Sequence, residues 1–216
     1  MHCMHARGSE IACMTGNNPS FCNQVVVMDL QTLTDVSIQF PDLHQPVYEP
    51  CMKACLDMNA CALTAVLASS GPFVFVNTRA YVLEKDERPF QHRVPDLSTA
   101  VDLQLWNYET MTQVGSFTGH HAFTTKNSPF LLFVDEEGPF EPFDYVASGS
   151  EDGMVYVWHR RHGQLLRRLV GGHSDAVNAV AWHKQVPGIL VSGSDDFTMG
   201  VWGPRSLCKR DGSASV

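Results

Sequence analysis

Histidine, serine and aspartate precede a tryptophan near the end of this chain at defined distances. Asp196 lies six residues before Trp202 and Ser192 lies ten before it. His173 lies 29 residues before the same tryptophan. Ser, His and Asp are the residue types of a hydrolytic triad, in which the histidine removes the proton of the attacking serine. They can equally form a buried structural network, because an imidazole can join a hydroxyl to a carboxylate.

The same residue types occur a second time, 44 positions earlier. YVASGSEDGMVYVWHRR (145–161) and ILVSGSDDFTMGVWGPR (189–205) superpose tryptophan on tryptophan. A catalytic triad is not duplicated along a chain, and neither serine has the G-x-S-x-G setting of a hydrolase nucleophile. We therefore predict that the chain is not an enzyme. The predicted structural tetrads are His173, Ser192, Asp196 and Trp202, and His120 or His121 with Ser148, Asp152 and Trp158.

Short antiparallel β-strands are predicted to position these residues. VASGS and LVSGS are followed by the acidic turns EDG and DDF, and then by strands in which apolar residues alternate toward the tryptophan. After Trp158 come a polar turn, a third strand, a Gly-His turn and a fourth strand. Four short strands in a repeat of about 40–45 residues are typical of a β-propeller blade.

The repeat weakens toward the N-terminus. AVDLQLWNYETMTQVGSFTGH (100–120) keeps the tryptophan and the Gly-His pair, but Ala100 replaces the aspartate. Residues 22–40 resemble the last two strands of a blade, and residues 50–78 are predicted to be the inner strands of the blade that ends at Trp106. The predicted fold is all-β, a partial propeller of about three to four blades of antiparallel four-stranded sheets. Its predicted parts are an irregular segment (1–20), blades (21–204) with loops near 83–96 and 135–144, and a flexible tail (205–216).

Composition excludes several classes of protein. The net charge of −8 argues against a dedicated nucleic-acid binder. No apolar run is long enough to cross a bilayer, and MHCMHARGSEIACMTG lacks the apolar region of a signal peptide. We expect a soluble protein of the cytoplasm, the nucleus or both, without a membrane partner.

Cysteine usage favours reduced thiols. The seven cysteines are an odd number in a chain without a secretory signal. HCMH (2–5) and CMKAC (51–55) place possible metal ligands close together, but neither has the paired spacing of a zinc site. Packing of Cys51 and Cys55 as small buried apolar residues is the favoured alternative. We expect neither a metal nor another cofactor.

The final repeats resemble a known family. GSEDGMVYVWHRR, the GGH and VNAVAWH stretches and SGSDDFTMGVWGP are similar to the C-terminal blades of the WD-repeat subunit of the CTLH (GID) ubiquitin-ligase complex. The matching segments are Val155 to His159, Val177 to His183 and Trp202 to Pro204. The resemblance implies a WD40 propeller that recruits substrates to a multi-subunit ubiquitin ligase for protein degradation. The LisH and CTLH helices of that family are absent from this sequence.

Two groups of loop residues are candidate partner-binding positions, because propeller loops present varied side chains on a rigid scaffold. The first group is His121, Glu151, Ser174, Asp175, Asn178 and Asp195, and the second, at the opposite end, is Arg160 and Arg161. The expected partners are other ligase subunits and substrate proteins. Three alternatives are a generic WD40 scaffold, an RNA or phosphate contact through Arg160–Arg168, and self-association through open strand edges.

Overall fold

Strands are the regular elements of the part of the chain that the structure describes. The structure is a computed structural model that describes residues 4–15, 23–29, 51–82, 96–122, 134–136 and 145–204. Alternating burial defines the strands, as where Val25 and Val27 are buried and Val26 is only half-buried. The strands are β1 Met4–Arg7, β2 Glu10–Thr15, β3 Gln24–Asp29, β4 Cys51–Asp57, β5 Cys61–Leu67, β6 Phe73–Val82, β7 Asp96–Asn107, β8 Thr112–His121, β9 Val134–Glu136, β10 Tyr145–Gly149, β11 Val155–His159, β12 Leu165–Leu169, β13 Val177–Trp182, β14 Leu190–Ser194 and β15 Met199–Trp202.

These strands form four antiparallel sheets. Sheet 1 contains β1 to β4, sheet 2 contains β5 to β8 and sheet 3 contains β9 to β12. Sheet 4 contains β13 to β15 among the described residues. Within each sheet, strands that follow one another in the chain are paired, so each sheet is built from antiparallel neighbours. The prediction of an all-β fold made of antiparallel four-stranded sheets is confirmed.

The sheets stack face to face in chain order. One apolar cluster joins sheets 1 and 2, a second joins sheets 2 and 3, and a third joins sheets 3 and 4. The first strands of successive sheets contact one another, since β1 meets β5, β5 meets β9 and β9 meets β13. Each cluster has members from both sheets, such as Leu56 and Val76 in the first, Phe117 and Trp158 in the second, and Val155 and Leu190 in the third. Sheets 1 and 4 therefore each have one face that no other described sheet covers.

A polar cluster also joins sheet 1 to sheet 2. We define the Glu10 cluster as Arg7, Glu10, Lys53 and Tyr108. The Glu10 carboxylate accepts hydrogen bonds from Arg7, from Lys53 Nζ at 2.8 Å and from the Tyr108 hydroxyl at 2.9 Å. Arg7 Nη1 donates to the carbonyls of Ala68 at 2.6 Å and Gly71 at 2.7 Å. Burial raises the pKa of Glu10, but hydrogen bonds from Lys53, Arg7 and Tyr108 outweigh that effect and lower it to about 2.

The structure corrects the predicted organisation of the N-terminal half. Residues 4–15 lie within the segment expected to be irregular, yet they form β1 and β2. Residues 50–78 were expected to supply two inner strands of one blade, but β4 closes sheet 1 and β5 opens sheet 2. The reason is that Asn59, with a φ of 49°, lies in a tight turn between β4 and β5, where the chain passes from one sheet to the next.

Several expectations fall on parts of the chain outside the described residues. The predicted tail at 205–216 lies outside them, as does the predicted loop at 83–96 apart from Asp96, which begins β7. Within the predicted loop at 135–144, residues 135 and 136 belong to β9 and the remainder is not described.

Candidate protein-interaction surface

The tetrad of sheet 4 is assembled from four consecutive parts of one repeat. His173 lies before β13, Ser192 lies on β14 and Trp202 ends β15. The indole N–H of Trp202 donates to Ser192 Oγ at 2.8 Å, and Ser192 Oγ lies 2.7 Å from His173 Nε2. His173 Nδ1 lies 3.4 Å from a carboxylate oxygen of Asp196. The structure thus brings the four predicted residues together as one polar chain.

Thr198 joins this chain, although the sequence analysis did not single it out. Its hydroxyl lies 3.0 Å from His173 Nδ1 and donates to Asp196 at 2.6 Å. Asp196 also accepts the backbone N–H of Ser174 at 2.8 Å. The hydrogen bond from the Thr198 side chain, followed by that from the Ser174 backbone, holds the pKa of Asp196 well below its usual range. Asp196 therefore ties the loop before β13 to the turn before β15.

Two glycines make room for the tetrad. A Cβ on Gly200 would lie 2.8 Å from Ser192 Oγ and 3.0 Å from His173 Nε2. A Cβ on Gly172 would lie 2.4 Å from the indole of Trp202. Side-chain atoms do not approach this closely, so the loop and strand can enclose the tetrad only with glycine at both positions.

The second predicted tetrad does not form, which corrects the sequence interpretation. His120 is fully buried, but its Nε2 lies 2.9 Å from Asn77 Oδ1 of sheet 2. Trp158 Nε1 donates to the carbonyl of Thr118 at 2.9 Å rather than to Ser148. Asp152 accepts the hydroxyl of Tyr156 at 2.6 Å. The expected residues are therefore not joined in one hydrogen-bonded chain, because His120, Asp152 and Trp158 each bond to a residue outside the expected set.

Tyr156 explains why the second set is broken. The 44-residue offset aligns Tyr156 with Gly200, the glycine whose missing Cβ leaves space for the tetrad. The tyrosine ring instead stacks on Trp158, with ring centroids 5.8 Å apart, and lies 6.1 Å from the ring of His120. Comparing the two repeats at this position would have revealed the difference from sequence alone.

His120 belongs to a different buried network. Asn77 Nδ2 donates to Ser148 Oγ at 3.3 Å and to Thr64 Oγ1 at 3.4 Å, so the network links sheets 2 and 3. Burial lowers the pKa of His120 to about 3. Its imidazole is consequently neutral at physiological pH. His121, the other candidate for the tetrad, has an exposed side chain and bonds to Ser150 only through its backbone.

Four of the predicted partner-binding residues form one polar surface beside the tetrad. We define this acidic loop surface as Ser174, Asp175, Asn178 and Asp195. Asn178 Nδ2 donates to the Asp195 carboxylate, and the Asp195 N–H donates to the Ala176 carbonyl at 3.0 Å. Ser174, Asp175 and Asp195 are exposed. The acidic loop surface is therefore held in shape by its own hydrogen bonds and by the tetrad beneath it.

Glu151 does not lie on that surface, contrary to the prediction. Its exposure is only 3%, and its backbone N–H donates to the His121 carbonyl at 3.0 Å. Burial lowers the pKa of Arg79 in sheet 2, and the charge of Glu151 opposes this shift. Glu151 thus lies close enough to Arg79 of sheet 2 for their charges to interact, and its buried carboxylate is not available to a partner.

The two predicted docking arginines have different surroundings. Arg160 and Arg161 follow β11 at the end opposite the acidic turns. The guanidinium of Arg160 lies 5.9 Å from the ring of Phe73 and 5.7 Å from that of Phe75, so it packs on sheet 2 through cation–π contacts. Arg161 is exposed. The two arginines therefore differ in burial, and Arg160 is the one that packs against a neighbouring sheet.

The described residues were also compared with the requirements of a metal site and of a membrane-spanning helix. They contain no group of three or more His, Cys, Asp or Glu side chains placed to hold a metal ion, and Cys51 of the CMKAC stretch is exposed rather than buried. No helix long and apolar enough to cross a membrane occurs in the same part of the chain.

Several curated proteins are similar to this chain. A WD repeat-containing protein 26 homolog of Drosophila melanogaster is 40% identical over 103 residues, which are 48% of this chain and 15% of that protein. F-box/WD repeat-containing protein 5 of Homo sapiens is 30% identical over 158 residues, 70% of this chain and 26% of that protein. GID complex subunit 7 of Schizosaccharomyces pombe is 35% identical over 106 residues, 49% of this chain and 19% of that protein. The chain thus spans about a quarter or less of the length of these relatives.

The fold and the repeats have independent matches. The crystal structure of the computationally designed Ika4 protein superposes with a TM-score of 0.55 over 94% of this chain and 89% of that one, at 18% identity. The family described as WD domain, G-beta repeat matches residues 111–159 and 163–203. These residues therefore match WD40 repeats, and the fold of the described residues is all-β and propeller-like.

Proposed function

We propose that this chain is a non-catalytic scaffold that recruits substrate proteins within a multi-subunit ubiquitin ligase of the CTLH (GID) type. The observation that carries the proposal is the position of the acidic loop surface directly over the tetrad of sheet 4. Asp196 and Thr198 fix the backbone on either side of it. Exposed side chains on a backbone of low flexibility bind a partner at a small cost in conformational entropy.

Two relatives support the ligase context of the proposal. One is named as a GID complex subunit and another as an F-box/WD repeat protein. Because the surface is acidic, we expect it to bind a basic segment of a substrate.

Substitution of the acidic loop surface tests this role. Replacing Asp175, Asn178 and Asp195 together by alanine should weaken substrate capture at least about tenfold, because the exposed acceptors are removed. The far-ultraviolet circular dichroism spectrum should stay unchanged, because the tetrad remains intact. Glu109→Ala with Gln113→Ala, two exposed positions in sheet 2 away from this surface, provides the matched control. Equal capture by the triple variant and the wild type would contradict the assignment of the surface.

Assembly with a ligase is tested separately. The tagged protein is purified from its own cells, and the proteins recovered with it are identified by mass spectrometry. We expect subunits of a ubiquitin ligase, and we expect Arg161→Glu to reduce their recovery if the end of the sheets opposite the acidic turns docks the complex. Recovery of binding proteins without ligase subunits would refute the ligase context and leave the protein-interaction scaffold.

A further inference from the structure

A small pocket lies where β1 and β5 end. Its volume is about 190 Å³, and its walls include His5 and Arg7 of β1, Phe75 of β6 and Lys184 from the segment after β13. None of the described residues that line it is acidic, although the chain has a net charge of −8. The pocket is therefore a concentration of basic side chains in an acidic protein.

The part of the pocket formed by sheets 1 and 2 lies between faces that cover each other. His5 pairs with Ala12 and Arg7 pairs with Glu10, and paired residues of adjacent antiparallel strands share a face. This is the face of sheet 1 that packs against sheet 2. The backbone N–H of Leu67 donates to His5 Nδ1 at 3.1 Å, which joins the end of β5 directly to β1. The pocket is thus formed by contacts between neighbouring sheets.

Arg7 holds one wall of the pocket in place. Its Nη1 donates to the carbonyls of Ala68 at 2.6 Å and Gly71 at 2.7 Å, and its Nη2 bonds to Glu10 and, at 3.1 Å, to the Tyr108 hydroxyl. A side chain with four fixed partners keeps its position when a ligand binds. Because Glu10 is one of those partners, Arg7 shapes the pocket, and most of the attraction for an anion comes from the other cations.

Two cations come to the pocket from sheets 3 and 4. Lys184 lines it and is exposed, and the guanidinium of Arg160 lies 5.7 Å from the ring centroid of Phe75, one of its walls. His5 adds a donor, because an imidazole whose Nδ1 accepts the Leu67 N–H carries its proton on Nε2. Basic side chains from three sheets around one pocket suit an anion with several acceptor oxygens.

We propose that this pocket binds a phosphate group. A phosphate monoester carries a charge of about −1.5 to −2 at pH 7 and has three acceptor oxygens, so it can bond to donors on several sides, whereas a carboxylate has two oxygens in one plane. The volume suits one such group, since a water molecule occupies about 30 Å³ in the liquid and pockets for drug-sized ligands begin at about 300 Å³. The ligand is therefore a free phosphate or a phosphate at the end of a side chain, and a whole nucleotide is too large.

The pocket and the acidic loop surface lie at opposite ends of sheet 4. Asp175 precedes β13, whereas Lys184 follows it. A phosphate in the pocket is therefore kept apart from the carboxylates of the acidic loop surface. Phosphate binding can consequently be measured independently of substrate capture, and either one can fail without the other.

Isothermal titration calorimetry of the 216-residue chain with inorganic phosphate, at constant ionic strength, tests the site. We expect saturable binding, and Lys184→Gln should raise the dissociation constant at least about tenfold, because a charge-assisted hydrogen bond is lost. Lys184 is exposed, so the circular dichroism spectrum should not change. Arg167→Gln removes the same charge from an exposed position of β12 outside the pocket and should leave the dissociation constant unchanged. Absence of saturable binding, or equal weakening by both variants, would overturn the proposal.

Two further titrations identify the anion and its source. Acetate should bind at least about tenfold more weakly than phosphate at the same ionic strength, and equal binding of the two would contradict the assignment of a phosphate group. A glycine peptide with one central phosphoserine represents a phosphorylated segment of a partner. Tighter binding of this peptide than of inorganic phosphate would assign the pocket to such a segment, and weaker binding would assign it to the free ion.

Discussion

At the scale of single residues, one side chain decides whether the repeat has a tetrad. Gly200 leaves space for His173, Ser192 and Trp202 to meet, and the equivalent Tyr156 fills that space in sheet 3. A buried polar group must find a partner somewhere. His120 accordingly bonds to Asn77 of the preceding sheet. The same pattern of residues thus gives an intra-sheet network in one repeat and an inter-sheet network in the other.

The tetrad histidine should matter more for stability than a nearby surface histidine. His173→Ala removes the imidazole partner of Ser192, which is buried, and the loss of that buried hydrogen bond costs about 1–3 kcal/mol. His183 is exposed and accepts backbone N–H groups of its own turn, from Gln185 and Val186, each at 3.0 Å. Chemical denaturation should therefore show a larger loss of unfolding free energy for His173→Ala than for His183→Ala. Equal losses would mean that the tetrad does not stabilise sheet 4.

At the scale of elements, the turns and loops between strands carry the polar contacts between sheets. The turn after β7 supplies Tyr108 to the Glu10 cluster, and the turn after β5 supplies the carbonyls that Arg7 binds. These contacts connect sheet 1 to sheet 2 beside the apolar cluster between them, to which Tyr108 also belongs. Sheet 1 is consequently fixed to sheet 2 by both apolar packing and a charged network.

The Glu10 cluster should make stability depend on pH. The pKa of Glu10 is lowered to about 2 in the folded chain, against an ordinary value of 4.5. The ionised carboxylate therefore stabilises the folded state fully above about pH 5, and this contribution is lost as the pH falls toward 2. The difference in unfolding free energy between wild type and Glu10→Gln should shrink across that range. Glu109→Gln, on an exposed turn, is the control, and a pH-independent difference for Glu10→Gln would contradict the assignment.

At the scale of the whole molecule, stability depends on how closely successive sheets approach. Sheets 3 and 4 meet where the backbone of β10 touches the start of β13, and Gly149 lies at the point of contact. Protein interiors are close-packed, so one additional methyl group at this junction must displace backbone. Sheets 3 and 4 therefore behave as one packed unit at this junction.

Two matched substitutions test the stacking of the sheets. Gly149→Ala places a Cβ 2.0 Å from the Val177 carbonyl, so it should destabilise the chain by about 1–3 kcal/mol. Gly193→Ala changes the same position of the next repeat, where a Cβ meets nothing within 4 Å, and it should be nearly neutral. Thermal unfolding of both variants in dilute solution measures the difference. Similar melting temperatures would show that sheets 3 and 4 do not pack in this way.

The sequence alone determined the repeat, the hairpins and the tetrad of sheet 4. Each of these depends on residues within one repeat, where strand alternation and turn residues act over short distances. His173, Ser192, Asp196 and Trp202 could be identified by spacing because one three-stranded unit holds all four.

The tertiary structure decided the features that depend on a neighbouring sheet. Residues 4–15 form strands although the repeat pattern has faded there. Strand β2 pairs with β3, and sheet 2 covers one face of the resulting sheet. Glu151 is buried and Arg160 packs on Phe73 because sheet 2 lies against sheet 3, which no local pattern of polar residues reveals. Likewise, only the stacking order shows that Met199 lies on the face of sheet 4 that no other described sheet covers. Periodicity in a sequence specifies which side chains share a face, and the contacts between sheets determine whether that face is covered.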